Sequence, residues 1–169
     1  MTAVGQVKRA VAAAIKVAGC AAIESYSEEQ LKRYATAVAA VGTKETVIEE
    51  SGAAQYLGEK VDEATQETVS VYGRKMLLTL LIEVYAPRTL GAAGCEKAAE
   101  AVTQALMTAL PEGLKLGSLQ WGKTGWDKTT GMFRLDASAK YAAYFVAEAA
   151  EDETVFTDFV LKGTVKERE

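Results

Sequence analysis

The run Thr68-Val-Ser-Val-Tyr-Gly-Arg-Lys-Met-Leu-Leu-Thr-Leu-Leu-Ile-Glu-Val-Tyr85 decides how the chain reads. Its β-branched and aliphatic side chains suit a pleated backbone. Met76, Leu78, Leu80, Ile82 and Val84 recur at period two on one face, and Leu77, Thr79, Leu81, Glu83 and Tyr85 on the other. A strand apolar on both faces is central in its sheet or covered on both sides. Pro87 ends it, because proline cannot donate to a ladder.

Working outward toward the C-terminus, the period changes to that of a helix. Cys95, Ala98, Ala99, Val102, Leu106 and Ala109 form an apolar stripe, with Glu96, Lys97, Glu100 and Gln104 on the wet side. Pro111 and Gly113 stop that helix. Leu114 to Trp121 reads as a short strand, and Asp127-Lys-Thr-Thr-Gly131 as a turn in which Asp supplies a side-chain hydrogen bond and Gly a positive φ. From Met132 to Phe145 the sequence alternates. Phe133, Leu135, Ala137, Ala139, Tyr141 and Ala143 face inward, and Met132, Arg134, Asp136, Ser138 and Lys140 face out. Glu148 to Glu153 reads as an acidic turn and Thr154 to Val165 as a last strand.

Toward the N-terminus, Val4, Val7, Val11, Ile15 and Ala18 follow helical spacing, and Gly19 suits the C-cap. Ser27 to Arg33 reads as a polar connection or one short helical turn. Tyr34 to Val41 alternates weakly and ends at Gly42, which predicts a strand that Thr46-Val-Ile48 extends or answers. Glu45 to Glu67 is acidic and turn-rich, with Ser51-Gly52, Gly58 and Asp62-Glu63. It reads as a long loop or loose hairpin and as the most mobile part of the fold. The expectation is an α+β fold in one domain, residues 1–169. A mainly antiparallel sheet carries two main helices on one face, and 45–67 forms a flexible extension.

The composition excludes several classes of function. A chain of 169 residues with 49% apolar and 25% charged side chains can bury a sizeable core. A net charge of −4 argues against a protein that grips phosphate backbones. The chain has no histidine, so it holds no Ser-His-Asp or Cys-His pair, no HExxH zinc site and no haem histidine. Cys20 and Cys95 stand 75 positions apart and read as reduced, half-buried thiols; two sulfurs alone cannot close a structural zinc site. No run of 18 apolar residues exists to span a membrane.

Four motifs resemble functional ones. Val17-Ala-Gly-Cys20 spells a lipobox, but only six apolar residues separate Arg9 from Lys16, too few for a signal-peptide core. Gly117-Ser-Leu-Gln-Trp-Gly-Lys-Thr124 fits G-x-x-x-x-G-K-[ST] letter for letter. A phosphate cradle needs a helix after the loop, whereas Gly125 to Gly131 is a glycine-bracketed turn, so the match reads as a hairpin connection. Gly91-Ala-Ala-Gly94 lacks the third glycine of a dinucleotide fingerprint and reads as a close approach of strand and helix. Trp121 and Trp126 could stack on a sugar or base, but suit edge packing or a partner interface better. The residues thus lead to no catalytic, cofactor-binding or metal-binding set, and point to a structural or binding role. With several short sheet edges, assembly by strand addition is a candidate.

The run Tyr72 to Pro87, followed by Gly91-Ala-Ala-Gly-Cys-Glu96 and its helix, resembles tail-assembly proteins of phages and prophage-derived contractile particles. So do Gly125-Trp-Asp-Lys-Thr-Thr-Gly-Met-Phe133 and Phe156-Thr-Asp-Phe-Val-Leu-Lys-Gly163. The chain is most similar to the tail terminator, or tail completion, family, over about residues 70 to 165. That resemblance implies a viral structural protein, assembled in the bacterial cytoplasm and located in the virion tail. It would form a homo-oligomeric ring, commonly a hexamer, that caps the tail tube, ends its polymerisation and meets the neck. In contractile systems the last sheath ring docks there too. DNA would meet it only in transit through the lumen, and no cofactor is implied. Glu49, Glu50, Tyr56, Trp126, Phe156 and Phe159 are the interface candidates, with residues 45–67 and the last strand reaching toward neighbours. The alternatives are another neck, connector or tube-initiating tail component, and a nucleotide-binding enzyme using the Gly117–Thr124 loop.

Overall fold

A computed structural model describes residues 3–50, 56–111 and 113–148. Among them are three helices, α1 (Ala3–Val17), α2 (Glu28–Leu31) and α3 (Gly91–Thr108). Seven strands accompany them: β1 (Ala21–Ile23), β2 (Val38–Glu49), β3 (Tyr56–Val61), β4 (Thr68–Ala86), β5 (Lys115–Trp121), β6 (Gly125–Asp127) and β7 (Met132–Glu148). All seven strands belong to one sheet, in the order β1-β2-β4-β7-β5, with β3 paired to β4 and β6 to β7. Every pairing except the parallel β1–β2 contact is antiparallel. The fold is α+β, as the patterning predicts.

The central strand is β4. Met76, Leu78, Leu80, Ile82 and Val84 are at most 1% exposed. They pack in one cluster with Val7, Val11 and Ile15 of α1, Cys95, Val102 and Leu106 of α3, and Leu135, Ala137, Ala139 and Tyr141 of β7. The alanines of β7 are small, so α3 can sit close to the sheet there. Gly94 lets the start of α3 approach β4: a Cβ on it would lie 3.4 Å from the Ala86 Cβ, and 2.6 Å from the Cβ of Leu90 at the helix's own N-cap. Gly94 is therefore a packing glycine, while Gly91 has open space around it and a positive φ of 64°. On the other face a smaller cluster of Ile23, Leu31, Val38, Ala40, Tyr85 and Met132 is sealed by Leu31 of α2, a single turn capped by the Ser27 hydroxyl.

The segment expected to be a long acidic loop or loose hairpin is strand over residues 45–49 and 56–61. β2 does not end at Gly42, and Thr46-Val-Ile48 extends it, one of the two readings of that stretch. It runs through that glycine, bulges between Thr43 and Glu45, and continues to Glu49 opposite Lys75. β3 then pairs with the start of β4, from Tyr56 opposite Tyr72 to Val61 opposite Thr68, on the same side of β4 as β2. The turn signals misled because a glycine inside a strand also marks a bulge. The acidic residues misled because edge strands carry charges that keep them from pairing with other chains. Seven carboxylates stand against two lysines between 44 and 67. The expected last strand, Thr154 to Val165, and most of the acidic turn before it lie outside the described residues.

Leu80 is wholly buried in the middle of β4. Leu80→Ala should destabilise the fold by about 2–5 kcal/mol, because the helices above it cannot collapse fully into the gap. A denaturant melt checks this, and a loss below about 1 kcal/mol would contradict the central placement of the strand.

Candidate functional site

The described strands are too long for the body they belong to. Nineteen residues of β4 at about 3.4 Å each would run about 60 Å, while a compact chain of this length is roughly 40 Å across. The surplus is an arm built from the end of β2, β3, the start of β4 and the end of β7. Burial marks its root. On the helix side of β4 the residues are buried from Val84 to Met76, and then Arg74 is exposed and Tyr72 half-buried. Every residue of β2 from Thr43 onward is exposed.

One face of this uncovered stretch carries apolar side chains among charged ones. The register puts Ile48 opposite Met76, Tyr56 opposite Tyr72 and Val61 opposite Thr68, all on the side that α1 and α3 cover elsewhere. Ile48 is 50% exposed, Tyr56 43% and Val61 57%. The Tyr56 and Tyr72 rings meet edge to face with centroids 5.7 Å apart. Val47, 39% exposed, points to the opposite face beside Leu77.

A second apolar feature lies at the other edge of the sheet. An open groove of about 540 Å³ runs between the outer flank of α3 and the β5 edge. Ala99, Thr103 and Met107 form one wall, Trp121 and Leu135 the other, and Glu96, Glu100 and Gln104 the rim. Met107 is 74% exposed. The Trp121 indole is fixed in place: its Nε1 donates to Thr103 Oγ1 at 2.9 Å, and that hydroxyl donates to the Ala99 carbonyl at 2.8 Å.

The face of the sheet away from α1 and α3 carries a polar network that the sequence does not announce. Glu83 of β4 lies opposite Asp136 of β7, and Tyr85 opposite Arg134. The Arg134 guanidinium meets Asp136 through Nε at 2.6 Å and Nη2 at 2.8 Å, and Glu83 Oε1 at 2.7 Å. The Tyr85 hydroxyl donates to Glu83 Oε1 at 3.2 Å. Burial raises the Glu83 carboxyl above its ordinary range, outweighing the Arg134 charge that acts to lower it. Burial and then the Glu83 charge raise the Tyr85 phenol. Arg134 and Asp136 were visible as outward residues of an alternating strand, but their partner Glu83 depends on the β4–β7 register.

The interface candidates separate. Glu49 and Glu50 are exposed at the end of β2, and Tyr56 stands at the start of β3, so these three share the arm. Trp126 lies at the far end of β7, 45% exposed and edge-on to Phe133 at 5.1 Å. Phe156 and Phe159 lie outside the described residues. The stretch from Gly117 to Trp121 is β5, and β6 begins at Gly125, so no helix follows the Gly122-Lys-Thr124 turn. The helix N-terminus a phosphate cradle requires is not formed there. Both cysteines are free and buried, and burial pushes the Cys95 thiol up to about 11. Among the described residues no group of His, Cys, Asp and Glu is placed to hold a metal ion, and no helix is long and apolar enough to cross a membrane.

The Glu83 environment sets a sign for pH dependence. A carboxyl raised in the folded state contributes stability that is complete below its unfolded pKa and is lost as pH rises through the folded value. The stability of the protein relative to Glu83→Gln should therefore be greater near pH 4 than near pH 7. Denaturant melts of both proteins across that window check it; a difference that grows with pH would mean the Arg134 pair dominates over burial.

Compared with known proteins, the chain matches no protein-family model and no curated protein sequence at a significant level.

Proposed function

We propose that this chain is a structural tail-assembly protein, a terminator that forms a ring on the end of a phage or phage-like tail tube. The observation that carries the reading is the arm: a β extension whose apolar side chains are left uncovered where the helices stop. Exposed apolar surface of this kind marks a protein interface, and an extension from one side of a subunit suits head-to-tail contacts that close into a ring. The resemblance of residues 70 to 165 to tail terminator proteins supplies the setting. In it, the ring, commonly of six copies, caps the tube, stops its growth and offers a surface to the neck and, in contractile tails, to the last sheath ring. The work is mechanical and assigns no chemistry to any side chain. DNA is in contact only as it passes through the lumen, where carboxylates such as Glu45 and Glu49 would keep a duplex from adhering.

The triple change Ile48→Ser, Tyr56→Ser and Val61→Ser tests the reading. All three side chains are substantially exposed, so unfolding stability should stay within about 2 kcal/mol of the parent. Particles assembled with the variant should carry overlong, uncapped tubes and lose infectivity, as seen by electron microscopy and plating. Tubes of normal length would remove the arm from the capping step and with it the basis of the proposal.

A further inference from the structure

The arm and the α3 groove are separate patches, and Arg74 on the arm and the Glu96 and Glu100 rim of the groove carry opposite charge. The helix side of the arm presents Ile48, Tyr56 and Val61, with the exposed Arg74 among them and the exposed Glu59, opposite Ser70, farther out between Tyr56 and Val61. Among the described residues Arg74 makes no ion pair. The groove presents Met107 and Trp121, rimmed by Glu96 and Glu100. These two carboxylates are one helical turn apart on the same face of α3, exposed, and likewise without an ion-pair partner among the described residues. Like charges at that spacing repel each other across one helical turn. A cation brought between them would relieve that repulsion, and an apolar strip laid beside it would cover Met107.

From this we propose that the arm of one copy docks in the α3–β5 groove of a second copy. Ile48 and Tyr56 would lie against Met107 and Trp121, and Arg74 would reach Glu96 and Glu100. The inference rests on the proposed ring and names the surfaces that build it. Because arm and groove are different patches, the contact is heterologous: each copy gives its arm to one neighbour and its groove to the other. The arm begins beyond Met76, which pairs with Ala143 of β7, whereas Trp121 pairs with Ala137, so the groove lies along the body away from the root of its own arm.

Charge reversal tests this in the full-length chain. Arg74→Glu should repel the groove, and the pair Glu96→Arg with Glu100→Arg should repel the arm. Each protein alone should need at least about tenfold more protein to assemble than the parent, by native mass spectrometry and light scattering, because like charges are forced together at the contact. All three residues are exposed, and circular dichroism should show both variants folded. An equal mixture of the two should assemble again, with the chains alternating and only even-numbered oligomers formed. In that mixture the arm changed by Arg74→Glu meets the groove changed by Glu96→Arg and Glu100→Arg, and the native arm meets the native groove. Assembly of either variant alone at the parent's concentration, a parent that stays monomeric throughout, or a mixture that fails to assemble would each overturn the contact. Tail capping is scored separately. Rings that form through this contact yet leave tails uncapped would remove the terminator reading alone, and capping by both variants alone would remove the contact alone.

Discussion

The pairing of β4 with β7 runs without a register shift from Val71 opposite Glu148 to Ala86 opposite Phe133, and most of the molecule follows from that length. Each added pair satisfies backbone groups that would otherwise need water or another partner. The two helices above the sheet bury only the part between Met76 and Ala86 on β4 and between Leu135 and Ala143 on β7. Backbone pairing therefore continues past the point where side-chain burial stops. The remainder is held by its ladder and by local contacts such as the Tyr56–Tyr72 ring pair. It keeps apolar side chains that no described element of its own chain covers.

Burial divides the molecule into a strong body and a weaker arm, and the contrast is sharp. Leu80 and Ile82 have no exposed surface, while Ile48, across from Met76 at the root of the arm, is half exposed. Elements with few buried contacts open locally at low free energy. An arm of that kind can adjust to a neighbour at little cost, while the body that presents the groove stays fixed. Trp121, tied to Thr103 on α3, is part of that fixed wall.

Much of the body was legible in the sequence. The two-faced run from Met76 to Tyr85 gave the central strand, the inward residues from Phe133 to Ala143 gave its neighbour, and the stripe from Cys95 to Leu106 gave α3. These signals are periodic and long, so they survive without knowledge of the partner. The arm was legible in part: the run from Thr68 read as strand and Thr46-Val-Ile48 as a stretch that extends or answers the one before it, while Gly42, Gly58 and a run of carboxylates left a loop or loose hairpin over 45–67. Only the partner strand decides, and β4 supplies it through Lys75 and Tyr72. The Glu83–Arg134–Asp136 network was hidden for the same reason. Arg134 and Asp136 stand 51 and 53 positions from Glu83 in sequence and meet it only through the β4–β7 register. The groove was hidden too. Glu96, Glu100 and Gln104 read correctly as the wet side of α3, but nothing local places Trp121 and Leu135 beside them.

In the proposed contact the arm is finished by a second copy. Amide hydrogen exchange measured at low and at high protein concentration tests it directly. Amides of residues 44–49, 56–61 and 68–75 should exchange quickly in dilute solution and become protected as the chain assembles, together with those around Met107 and Trp121. The interior of β4 from Met76 to Val84 should be protected throughout. Protection of the arm that does not change with concentration, while the chain does assemble, would contradict the account.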